Sequence, residues 1–148
     1  MRQEHLVSLN IHSNARSLPV VRGAVEQLAS SEGFDATETH GLVLAIDEAL
    51  ANVIKHGYNG QSDQPITVTL SVVQSDTGRR GLAIEVRDQG RQVDPTSICG
   101  RDLDDVRPGG LGVHIIKAVM DEAAYSCPSE GGMCLRMVKF VGEHPSAK

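Results

Sequence analysis

Tryptophan is absent from this 148-residue chain, and Tyr and Phe number two each, so aromatics make up only 3%. That argues against a surface that stacks bases on aromatic rings. Basic charge is also scarce. Lys+Arg 14 against Asp+Glu 19 leave a net charge of −5, with a pI near 5.6. Sequence-independent binding of nucleic acid requires the opposite balance, so no direct nucleic-acid partner is expected. The three cysteines, Cys99, Cys127 and Cys134, cannot all pair with one another and form no CxxC. A zinc knuckle and a thioredoxin-like motif are thereby excluded. The opening MRQEHLVSLN has no apolar core of the kind a signal peptide needs. The longest uncharged stretch, Gln64 to Ser75, is far too short to span a membrane. The expectation is a cytoplasmic protein with no membrane partner.

What is present is ordinary globular composition, 40% hydrophobic and 22% charged. A chain of this length fits one domain, residues 1–148. It can bury roughly 70% of the surface exposed on unfolding, and needs no disulfide or metal to fold.

Periodicity assigns the elements. Residues 4–12 read as a strand with Val7, Leu9 and Ile11 on one face. Asn14 to Glu32 reads as a helix on the spacing of Leu18, Val21, Val25 and Leu28, with Pro19 tolerable only near its start. Gly33-Phe34 breaks it. Asp35 and Glu38 have the spacing of a capping box, and a long helix then runs to about His56 and stops at Gly57. Two alternating strands follow, Ile66, Val68, Leu70 and Val72 in the first and Leu82, Ile84 and Val86 in the second. Residues 89–108 carry no periodicity, and a loop that long inside a small domain usually serves as a lid or binding segment. A glycine cluster leads into a helix with Ile115, Ile116, Val119 and Met120. Strands at about 122–127 and 133–140 close the chain around Gly131-Gly132. The order βααββαββ predicts an α+β two-layer sandwich, with a mixed, mostly antiparallel sheet and helices on one face.

Three segments carry chemistry. In LVLAIDEALANVIKHGY, the core stripe is Leu42, Ile46, Ala49, Leu50, Val53 and Ile54. Glu48, Asn52 and His56 recur four apart and form one polar row. A carboxylate and a carboxamide so placed can share a divalent cation or order a water; a solvated helix face is the alternative. In IEVRDQG, strand parity turns Asp88 to the same side as Leu82, Ile84 and Val86. An inward carboxylate is costly unless a donor reaches it, and the amino group of a base is one such donor. Gly90 would let a ligand approach the backbone closely. A turn-forming Asp-x-Gly is the alternative. In PGGLGVHIIK, the glycines open directly onto a helix N-terminus, an arrangement suited to phosphate. It is neither GxGxxG nor GxxxxGK[ST], and a plain loop-to-helix turn remains open. No HExxH and no GxSxG occur, so zinc-protease and serine-hydrolase chemistry have no support.

Taken in order, these segments resemble the motifs of the GHKL ATPase superfamily. Glu48 and Asn52 match its N box, Asp88 and Gly90 its G1 box, and Gly110 and Gly112 its G2 box. Within it, EALANVIKHGY (48–58) and PGGLGVHIIKAVMDEAAY (108–125) look most like the bacterial anti-sigma-factor serine kinases of partner-switching modules. The resemblance implies a Bergerat-type fold, ATP and Mg²⁺ as cofactors, and a kinase that phosphorylates a STAS-domain antagonist on serine. It also implies sequestration of a sigma factor or another regulator, and a homodimer. Glu48 would be the general base, Asn52 the Mg²⁺ ligand, and Asp88 the acceptor for the adenine amine. His56, Gly90, Arg107, Gly109, Gly110, Leu111 and Gly112 would complete the nucleotide site. Arg101 and Arg107 would give the loop its phosphate contacts. A nucleotide-gated adaptor without transfer activity is the alternative, and Glu48 argues against it, because a pure binder needs no base there.

Overall fold

Among the described residues, alternation of apolar and polar residues resolves into five strands: β1 (Arg2–His12), β2 (Pro65–Gln74), β3 (Arg80–Asp88), β4 (Glu122–Ser126) and β5 (Cys134–Phe140). Three helices accompany them: α1 (Leu18–Ser31), α2 (Ala36–Asn52) and α3 (Val113–Val119). This computed structural model describes residues 1–90 and 113–142.

The sheet order is β1-β2-β3-β5-β4. Every described pairing is antiparallel, so among the described residues the expected mixed, mostly antiparallel sheet has no parallel pair. The reason is topological. The chain leaves β3 in the middle and returns along the edge as β4. A turn through Gly131-Gly132 then brings β5 back between β4 and β3. The register sets Leu9 beside Val68, Val68 beside Val86, and Val86 beside Leu135. Residues on this face alternate with those on the other, as the pleat requires.

All three helices pack on that face. Val21, Val25 and Ala29 of α1, Leu42, Ile46 and Leu50 of α2, and Ile116 of α3 join Ile66, Val68, Leu70, Leu82, Ile84, Val86, Leu135 and Met137 in one core. Each fully buried Leu or Ile of this set contributes about 1.5–3 kcal/mol. A smaller cluster, Val73, Ala83, Val138 and Phe140, lies on the opposite face. Gly41 lets α3 sit close to α2, since a Cβ there would meet Val119 at 3.1 Å.

The helix boundaries depart from the expected ones at two points. The first helix does not begin at Asn14. Asn14 caps a 3-10 turn (Ala15–Ser17), its side chain accepting the Arg16 N–H at 2.9 Å, and the α-helix starts at Leu18. Pro19 explains the shift, because proline has no N–H and fits only the first turn. The second helix starts as expected. The Asp35 carboxylate accepts the Glu38 N–H at 2.7 Å, and the Glu38 carboxylate accepts the Asp35 N–H at 3.0 Å. Its far end differs. The α-helical bonds stop at Asn52, and Val53–Gly57 form a wider π turn.

Candidate functional site

The π turn sets the geometry of the site. The Tyr58 N–H reaches back five residues to the Val53 carbonyl at 2.9 Å. Such wide turns concentrate at functional positions, because they re-aim the side chains that follow. Here the turn brings Gly57 against the end of β3. A Cβ on Gly57 would sit 3.7 Å from an oxygen of the Asp88 carboxylate. His56, read as the last member of a straight polar row, is carried by this turn rather than by the α-helix.

Beneath the turn, between α2 and the sheet, lies a cavity of about 40 Å³. Asn52, His56, Gly57 and Asp88 line it, with apolar walls from Ala49, Val53, Val86, Met133 and Leu135 and an aromatic wall from Tyr125. Asp88 is the one acid among these lining residues, and it is only 4% exposed. Its depth follows from strand parity, which aligns it with Leu82, Ile84 and Val86 as expected. Burial pushes its pKa above the ordinary carboxylate range, while the backbone N–H groups of Gly90 and Met133 pull it back. The Gly90 N–H donates to the carboxylate at 2.8 Å, and the Asp88 N–H donates to the Met133 carbonyl at 3.0 Å. Tyr125 is held neutral beside it. Burial, reinforced by the nearby Asp88 charge, raises its pKa to about 12.

The structure thus brings Asn52, His56, Asp88 and Gly90 together. Glu48 stands one α-helical turn before Asn52, half-buried, and is not part of the cavity wall. Arg107, Gly109, Gly110, Leu111 and Gly112, with Arg101, lie outside the described residues.

Several contributors were not singled out from sequence. Gly132 has φ +71°, and a Cβ there would fall 1.9 Å from the Asp88 carbonyl oxygen. Only glycine lets β5 approach so closely. The doubled glycine was visible in the sequence, but it reads equally well as an ordinary hairpin turn. Gly57 and Tyr58 were visible as the end of a helix, with nothing to mark their contact with β3. Tyr125, Met133 and Leu135 fall in or beside the two closing strands, with nothing in their spacing to mark the cavity.

These residues fit a planar heterocycle that donates a hydrogen bond. The walls are apolar, and a buried carboxylate at one end lacks a cationic side-chain partner in the cavity wall. The carboxamide of Asn52 adds an oxygen donor of the hard kind that Mg²⁺ prefers. Among the described residues, no group of three or more His, Cys, Asp or Glu could hold a metal. Mg²⁺ is compatible with that, since it keeps several waters and takes few protein ligands.

Sheet order, helix layer and cavity define a class of protein: a two-layer α+β domain with a cavity between the end of its second helix and its sheet. The histidine kinase-like ATPase domain profile matches residues 11–139, and the chain belongs to that ATP-using family. Among its relatives is the serine-protein kinase RsbW of Listeria innocua, 25% identical over 141 residues, covering 93% of this chain and 88% of the relative. RsbW of Bacillus velezensis is 24% identical over 143 residues, covering 91% and 85%. The serine/threonine-protein kinase BtrW of Bordetella bronchiseptica is 30% identical over 105 residues, covering 68% and 70%. A crystal structure of the RsbU and RsbW domains of Rv1364c from Mycobacterium tuberculosis shares the fold. It superposes with a TM-score of 0.58 at 18% identity, over 91% of this chain and 33% of that one. These relatives place the chain among the protein serine/threonine kinases.

Proposed function

We propose that this protein is an ATP- and Mg²⁺-dependent serine kinase and anti-sigma-type regulator of a partner-switching module. On this reading it phosphorylates a STAS-domain antagonist on serine. It also sequesters a sigma factor or another regulator. The names of its relatives, RsbW and BtrW serine kinases, support the reaction class. The observation that carries the reading is the buried Asp88 carboxylate in an apolar cavity that Asn52 also lines.

ATP, when bound with Mg²⁺, supplies the phosphoryl group and the charge neutralisation its transfer demands. The chain's own residues position, exclude water and handle one proton. Asp88 accepts the hydrogen bond of the base amine, and the apolar walls exclude water around it. Asn52 presents its carboxamide oxygen to the cation. Glu48, one helical turn away on the same helix, takes the proton from the serine hydroxyl. His56 and Gly90 shape the walls near Asn52 and Asp88. Arg107 and the Gly109–Gly112 turn belong to the same proposal as the phosphate-binding element. The cytoplasm and a homodimer are the matching setting.

The test is transfer itself. Incubation with γ-labelled ATP, Mg²⁺ and the STAS-domain protein encoded nearest to this one is expected to label that protein on serine. Chelation with EDTA is expected to remove the label. A protein that binds ATP yet labels no STAS-domain partner would contradict the proposal.

A further inference from the structure

Tyr58 immediately follows the His56-Gly57 pair at the end of the π turn, and its hydroxyl bridges two backbone groups on neighbouring strands. It donates to the Pro65 carbonyl at 2.5 Å and accepts the Gln89 N–H at 2.7 Å. The two groups it joins are not arbitrary. In the β2–β3 register Ile66 faces Asp88, so the next pair along is Pro65 and Gln89. The strands part there, and the phenol oxygen stands in for the rung that would otherwise close between them. The ladder therefore holds for one residue beyond Asp88.

That extra rung fixes the peptide unit on the C-terminal side of Asp88. Its N–H belongs to Gln89 and is held by Tyr58. Its carbonyl faces Gly132 so closely that no Cβ fits between them. Gly90 is pinned in turn, because a Cβ there would lie 2.5 Å from the Gly57 carbonyl oxygen. With the unit clamped from both sides, the Asp88 carboxylate has little freedom to swing away from the cavity. Tyr58 is itself only 5% exposed, so water cannot easily replace its hydroxyl.

We propose that Tyr58 is a positioning residue that aims Asp88 into the cavity and thereby sets selectivity for a purine bearing an exocyclic amine. This rests on the reading of Asp88 as the residue that recognises the base. Removing the hydroxyl while keeping the ring leaves the Gln89 N–H and the Pro65 carbonyl without their partner. The turn then relaxes, and the carboxylate loses its fixed aim.

The experiment measures ADP and inosine diphosphate, which lacks that amine, by calorimetry on the whole chain and on Tyr58→Phe. The wild type is expected to favour ADP. In Tyr58→Phe, ADP affinity is expected to fall about tenfold, with inosine diphosphate little changed, so the ratio collapses. A lower Tm with an unchanged ratio would mean that Tyr58 only supports the fold, and would overturn the proposal. A wild type without preference would instead remove the base-recognition role from Asp88, and the role of Tyr58 with it. Should Tyr58→Phe fail to fold, hydrogen exchange on the unaltered protein decides. The Gln89 amide is expected to be protected like those inside β3, and exchange at the rate of an unstructured chain would overturn the proposal.

Discussion

A carboxylate that burial drives toward its neutral form weakens the fold around it, and Asp88 is in that position. Its pKa in the folded chain lies above the 3.8 of an unfolded one, because burial outweighs the N–H groups of Gly90 and Met133. The folded state therefore holds this proton to higher pH than the unfolded state does. Its contribution to stability is fully present below pH 3.8 and is lost as pH rises through the folded value. Asn in its place has no such proton to lose. We predict that Asp88→Asn flattens this part of the pH–stability profile and is no less stable than wild type at pH 7. The same variant is expected to bind ATP about 5–150-fold more weakly, as a displaced buried hydrogen-bond partner implies. Thermal melts across pH 4 to 7, paired with calorimetry, check both halves. A loss of stability at pH 7 with ATP binding intact would show that Asp88 serves the fold and not the ligand.

At the scale of elements, local signals were strong where the physics is local. The period of two marked β1, β2 and β3, and residues Asp35 and Glu38 marked the start of α2 to the residue. Asp35→Ala deletes the acceptor for the Glu38 N–H and is expected to cost about 0.5–2 kcal/mol, lowering Tm by a few degrees. Urea denaturation with an unchanged m-value measures this, and an unchanged midpoint would show that the cap contributes nothing. The far end of α2 was less legible. Val53 and Ile54 continue the apolar stripe, so periodicity carries the helix through the π turn. The shift to five-residue bonding that widens the turn leaves no mark on the pattern of side chains. Asp88 was legible because strand parity alone places it. Tyr58, Gly57 and Gly132 were not, because their roles exist only where separate strands and the helix end converge. The Tyr58 hydroxyl meets Gln89 31 residues away in sequence.

For the molecule as a whole, the two layers divide the work. The sheet supplies Asp88 from its central strand β3, flanked by β2 and β5. The helix layer supplies Glu48 and Asn52 from the end of α2 and His56 from the π turn. Arg22 holds α1 to α2 beside this row, its Nε donating to both Asp47 oxygens at 2.7 and 3.0 Å. The polar groups of the cavity are thus carried on elements whose apolar faces share one core, which keeps their spacing fixed. Among the described residues, no helix is long and apolar enough to cross a membrane. On the proposed function, this cavity supports phosphoryl transfer, with Glu48 as the base. Glu48→Gln tests it most directly, because the amide keeps the shape of the side chain and cannot take up a proton as a carboxylate does. Serine labelling of the STAS-domain partner and ATP binding are measured side by side. ATP and partner binding are expected near wild-type levels, with transfer reduced about 10²–10⁴-fold. Full transfer activity in Glu48→Gln would contradict it.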